Sequence, residues 1–224
     1  MDETVTAELE ILRRDIEECR DCPLAISSTR VVFGEGDWTS PMVIVGEGPG
    51  EREDLEGHPF VGRAGQLLER LLVSVGLSRS ELWVTNVLKR RASKLADGRA
   101  KNRLPRAEEL AIYKGFLDRE LKVISPRLIL CLGNLAASAL IHRNFRMTRE
   151  HGQWFSGAAG KKLMATYHPA YILRLEGSDY DEVLRQAIED LASAAEQYRA
   201  MRASVQPVGH VNHISPGHLA KRAS

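Results

Sequence analysis

The 224 residues include only three cysteines, and no apolar run approaches the roughly 18 residues that a membrane span requires. Thiols at positions 19, 22 and 131 are too few and too unevenly spaced for a disulfide framework. An excess of one charge is missing too: 31 Lys and Arg face 30 Asp and Glu, for a formal net charge of +1. The total says nothing about an anionic partner, so the local distribution has to be read instead. The N-terminus MDETVTAELE is acidic and has no apolar stretch of the kind a signal peptide needs. A cytoplasmic protein with no membrane contact is expected, of a length that suits one domain with a sizeable core.

What is present is an alternation of two patterns. Residues 4 to 18 have helical periodicity, with Leu9, Leu12 and Ile16 on one face. Four short apolar runs follow, over 42–45, 82–88, 128–132 and 163–167, and helical patterns lie between them at 64–75, 107–124 and 135–141. Continuous rather than alternating apolar runs, separated by helices, predict an α/β fold with a parallel sheet covered on both faces. A last helix over about 181–202 closes a domain expected to span 1–203. The remaining 204–224 lack periodicity and are rich in turn formers, which predicts a flexible tail; its three His read as solvated rather than as a metal site.

In open parallel sheets ligands gather where the strands end. The first run ends in Gly46-Glu47-Gly48-Pro49-Gly50-Glu51, a glycine-rich turn of the type that holds a dinucleotide pyrophosphate. Its acids argue against that ligand. Glu47, Glu51, Glu53 and Asp54 would repel phosphate, and position 51 is Glu where the fingerprint has Gly. The second run delivers Asn86 and then LKRRASKLADGRAKNRLPR, in which Arg90, Arg91, Lys94, Arg99, Lys101, Arg103 and Arg106 face a single acid, Asp97. Such a cluster fits contact with a phosphate backbone. The fourth run delivers YHPAYILR with His168. Asn86 has a donor and an acceptor that match one edge of a base, and Phe60, in the turn GHPFVG, offers a face for stacking. Cys131, inside RLILCLG, reads as a buried apolar residue, while the Cys19-x-x-Cys22 spacing fits metal, cluster or redox use.

The stretches VGEGPGEREDLEGHPFVGRAGQLL, VTNVLK, ISPRLILCLG and YHPAYILR, in that order, resemble family 4 of the uracil-DNA glycosylases over roughly residues 15–200. The resemblance implies a three-layer α/β/α sandwich with a four-stranded parallel sheet, and hydrolytic excision of uracil from single- or double-stranded DNA without a metal in the cleavage step. By motif, Glu47 is expected to act on the water and on the positive sugar. Phe60 is expected to stack on the flipped uracil, with Asn86 on its polar edge and Gly46 and Gly48 shaping the pocket. His168 is expected to donate to the carbonyl that becomes negative. Ile172, Leu173 and Arg174 stand where a wedge would fill the vacated gap. Arg90, Arg91, Lys94, Arg99, Lys101, Asn102 and Arg103 are expected to face DNA. A non-catalytic damage-binding protein of the same fold is the alternative, and a monomer is expected.

Two departures stand out. The family usually holds a 4Fe-4S cluster with four cysteines; Cys19 and Cys22 match the first pair, but the third position is Arg90 and the fourth falls at about Tyr113. No cluster and no other metal is therefore expected, with Cys19 and Cys22 as remnants. The second is an insertion, RRASKLADGRAK, between Lys89 and Asn102. It resembles that of a branch which becomes covalently trapped on abasic DNA through a loop histidine. Asn102 stands at the histidine's place, and an amide is a poor nucleophile, so turnover rather than trapping is expected.

Overall fold

A computed structural model describes residues 2–19 and 21–204. Apart from Ser204, the tail expected to be flexible lies outside the described residues. The chain opens with α1 (Asp2–Glu17), then β1 (Glu35–Gly36), β2 (Met42–Gly46), α2 (Glu51–Glu56) and α3 (Arg63–Ser74). Next come β3 (Trp83–Asn86), β4 (Ser93–Ala96), β5 (Arg99–Asn102), α4 (Ala107–Ile124) and β6 (Leu128–Leu132). The last third contains α5 (Asn134–Leu140), α6 (Met147–Glu150), β7 (Phe155–Ser156), β8 (Lys162–Thr166), α7 (Pro169–Ile172) and α8 (Gly177–Ala203). No described helix is long and apolar enough to cross a membrane.

The four apolar runs form the parallel strands β3, β2, β6 and β8, side by side in that order. Two-residue antiparallel strands, β1 and β7, extend the sheet at either edge to six strands. Continuous apolarity has a plain cause here. Val43 and Val45 of β2 and Ile129 and Cys131 of β6 belong to the core beneath α1 and α4, whereas Met42, Ile44, Leu128 and Leu130 belong to the core on the opposite face. Helix α8 closes that second core with Ala187, Leu191, Ala194, Ala195 and Tyr198, a helical stripe. The three-layer α/β/α sandwich expected from the sequence is thus what the side chains build. The inserted segment is not a plain loop. Residues 93–102 form a separate antiparallel hairpin, β4–β5, turned at Asp97-Gly98, both of positive φ (52° and 73°) as a tight two-residue turn requires.

Candidate active site

The carboxyl ends of β2, β3 and β8 open into a cavity of about 430 Å³ lined by Glu47, Phe60, Asn86 and His168, among others. Residues as much as 121 positions apart in the sequence meet there. Gly46 makes the meeting possible. A Cβ at this position would lie 2.5 Å from the Phe60 ring and 2.4 Å from Asn86 Oδ1, so any side chain would push both out of place. Backbone bonds from Val87 to the Gly46 carbonyl (2.9 Å) and from Leu88 to the Glu47 carbonyl (3.0 Å) continue the β2–β3 pairing past the sheet, fixing Glu47 against the segment that carries Asn86.

Phe60 sits at φ 54°, a left-handed conformation costly for an aromatic residue. Arg79 holds it there: its guanidinium donates to the Phe60 carbonyl at 3.0 Å and to that of Pro59, and pairs with Glu35 at 2.7 Å. The Phe60 and His168 rings are stacked, 5.9 Å apart at 25°. Nothing in the sequence singled out Arg79, because its targets lie about twenty positions away in a turn. Glu53, one of the acids beside Glu47, is buried, accepts from the Gly62 amide at 2.8 Å, and so ties α2 to the start of α3. Asp54 accepts from the amides of Thr29 and Arg30.

Asn86 is 2 % exposed and its Oδ1 has no hydrogen-bond partner in the protein. An unmet buried acceptor costs on the order of 1–3 kcal/mol. Beneath it, the fully buried Lys89 donates to the Asn86 carbonyl (2.8 Å) and to the Thr85 hydroxyl (2.6 Å), and forms an ion pair with Glu120. Burial pulls the Lys89 pKa down and Glu120 opposes that pull. Trp83 donates to the same carboxylate at 2.8 Å.

His168 caps α7. Its Nδ1 accepts from the Ala170 amide at 3.1 Å, with Pro169 at the first helical position. A backbone N–H can only donate, so Nδ1 carries no proton and, in the neutral ring, Nε2 carries it. Burial, aided by the positive charge of Arg174, holds the His168 pKa down at about 4, which keeps the ring neutral near pH 7. Burial raises the Glu47 pKa, and Arg174 pulls it back. One arginine thus favours both the carboxylate and the neutral imidazole.

The groups expected at a DNA surface divide. Lys94, Arg99, Lys101 and Asn102 are exposed on the hairpin. Arg90 and Arg91 are buried, and Arg103 is turned inward. Arg91 donates to Asn102 Oδ1 at 2.7 Å and to the Ala100 carbonyl at 3.0 Å, while Arg103 forks onto Glu109 at 2.7 and 2.6 Å. These guanidiniums brace the hairpin from inside, a role charge counting does not reveal. Of the expected wedge, Ile172 is fully buried in the core, Leu173 packs partly buried against it, and Arg174 lines the cavity. Tyr171, 40 % exposed, lines it too. His58, His142 and His151 pair with Glu35, Glu150 and Asp190, away from the cavity.

The residues at the cluster position do not fit a 4Fe-4S group. Cys19 and Cys22 are joined to each other as a disulfide, and Arg90 and Tyr113 fill the places where further thiolates are needed. Arg90 reaches toward the Glu17 carbonyl and the Ser28 hydroxyl. Burial pushes the Tyr113 phenol up to about 12. Cys131 lies within β6, its thiol also pushed up to about 12 by burial. Among the described residues no group of three or more His, Cys, Asp or Glu is arranged to hold a metal ion.

The Uracil DNA glycosylase superfamily profile matches residues 33–192, and the chain belongs to that superfamily. Its relatives include the type-4 uracil-DNA glycosylase of Thermotoga maritima, 37 % identical over 186 residues that make up 83 % of this chain and 93 % of the relative. The type-4 enzyme of Archaeoglobus fulgidus is 39 % identical over 172 residues, 74 % of this chain and 83 % of the relative. The type-5 uracil-DNA glycosylase of Pyrobaculum aerophilum is 32 % identical over 171 residues, 69 % and 74 % respectively.

Proposed function

We propose that this chain is a monofunctional uracil-DNA glycosylase that flips uracil out of DNA and hydrolyses its N-glycosidic bond. The observation that carries the reading is the unmet Asn86 Oδ1, buried in the cavity wall beside an imidazole whose Nε2 bears a proton. Uracil presents an N–H flanked by two carbonyl oxygens, and so satisfies an acceptor and a donor together. Phe60 supplies the stacking face. As the C1′–N bond breaks, its electron pair leaves with the base, and the neutral His168 donates from Nε2 to the carbonyl that gains charge. Glu47, on the sugar side, stabilises the cationic C1′ and takes a proton from the water that bonds to it. His168 keeps its proton and stabilises the leaving anion by hydrogen bonding alone; the proton that Glu47 took from the water passes through solvent to the departing base, leaving an abasic site, neutral uracil and the carboxylate restored. Among the described residues no lysine lines the cavity to form a Schiff base, which agrees with hydrolysis and no strand cleavage. Asn102, an amide held by Arg91, offers no nucleophile for covalent trapping.

The exposed Lys94, Arg99 and Lys101 are the phosphate contacts in this reading, and the enzyme works as a cytoplasmic monomer. It works without a 4Fe-4S cluster, since Arg90 and Tyr113 stand where two of the ligands belong. Incubating protein with a uracil-containing oligonucleotide, then with alkali, tests the activity: strand breaks at uracil are expected, and binding without breaks would leave only a damage-binding protein. Absorbance near 400 nm tests the cluster; none is expected.

A further inference from the structure

Leu104 is 79 % exposed on the rim of the cavity, yet the backbone that carries it is fixed. Arg103 donates to the Leu104 carbonyl at 3.0 Å and to the Ser93 carbonyl at 3.1 Å while forking onto the buried Glu109, and Pro105 follows with its fixed φ. The Arg103 amide bonds the Ala92 carbonyl at 3.0 Å, closing the root of the hairpin. A single exposed leucine is ordinary. An exposed leucine whose backbone is immobilised at the mouth of the cavity is not.

The hairpin around it has two different faces. Strand pairing puts Lys94 opposite Lys101 and Ala96 opposite Arg99, so Lys94, Lys101 and Arg99 share one face. Like charges directly opposite destabilise a strand pair unless an anion lies over them. Lys101 has one counter-charge, Asp97 at 2.7 Å. The other face carries Ser93, Leu95, Ala100 and Asn102, and Asn102 lines the cavity. Leu95 is 80 % exposed. The wedge position in α7 supplies less: Ile172 is locked in the core and Leu173 packs on it.

We propose that Leu104 enters the base stack of duplex DNA as the target nucleotide leaves it, filling the gap from the hairpin side while the basic face rests on the phosphates. The proposal rests on the uracil-excision reading. A wedge matters where a stack must be opened and matters little where the strand is already single. The test compares single-turnover excision of uracil from a duplex and from the same strand alone, for wild type, Leu104→Ala and Leu104→Met. The expected result is that Leu104→Ala lowers the duplex rate about tenfold more than the single-strand rate, and that Leu104→Met restores most of the ratio. A 2-aminopurine beside the uracil in the duplex should lose its fluorescence rise in Leu104→Ala and regain it in Leu104→Met. A wild type active on both substrates, with the duplex-to-single-strand ratio unchanged in Leu104→Ala, would overturn the inference alone. A wild type inactive on both would overturn the reading of the site, and the inference with it.

Discussion

Lys89 and Arg90 are neighbours in the chain, both buried, and they serve regions of opposite character. Lys89 lies beneath Asn86, where its ammonium meets three partners, while Asn86 Oδ1, buried in the cavity wall, meets none. Arg90 reaches toward the Glu17 carbonyl and the Ser28 hydroxyl near Tyr113, where Arg90 Nε and the Tyr113 hydroxyl also lack partners but neither residue lines the cavity. The same signature, an unmet buried polar atom, therefore has two meanings. On the floor, in the proposed reading, it marks the place that uracil takes. In the corner it marks Arg90 and Tyr113, the side chains at the two positions where the resemblance implies further cluster thiolates.

That contrast is sharpened first by removing floor residues. His168→Ala and Glu47→Ala are expected to lower the excision rate at saturating DNA by about a hundredfold or more with little change in Kd, the loss typical of one preorganised group. Equal losses in binding would erase the distinction between the floor and its surroundings. Lys89→Met removes one half of a fully buried ion pair and should cost about 3–5 kcal/mol in denaturant unfolding, because Glu120 is left charged in the interior. A cost under about 1 kcal/mol would contradict a structural role for the pair.

The pH profile comes next in size. With His168 held at about 4 the ring stays neutral as pH falls through its usual 6.5, so no break in the rate is expected there. The acid limb should instead follow Glu47, whose pKa lies above the usual 4.5, and it should vanish in Glu47→Gln. For stability the sign is the reverse of a paired histidine. The unfolded chain protonates His168 below 6.5 while the native ring resists until about 4, so this residue lowers stability as pH falls through that window. Corner residues should matter least. Cys19→Ser with Cys22→Ser is expected to leave the excision rate within about twofold, and a large loss would mean that the pair still shapes the site.

The parallel strands and the residues at their ends were legible because strands buried on both faces need continuous apolar runs, and Gly46, Asn86 and His168 directly follow or close such runs. The short edge strands β1 and β7 were not, since two residues carry no period. The hairpin β4–β5 lacks apolar alternation, yet its Asp97-Gly98 pair is a turn signal that spoke against an open loop. Charge was legible and its direction was not: Arg91 and Arg103 turn inward because Asn102 and Glu109 wait there, which only the fold decides. Arg79 escaped for the same reason, as it answers a strained carbonyl rather than a motif.

Asn86 and a neutral His168 are proposed to hold uracil jointly. Nitrogen NMR of the His168 imidazole tests it most directly, in Glu47→Gln bound to an oligonucleotide with uracil or with cytosine at the target position. The expected result is a neutral ring protonated on Nε2 at pH 7 whose resonance moves with the uracil strand and far less with the cytosine strand. A ring protonated on Nδ1, or one equally indifferent to both strands, would contradict it.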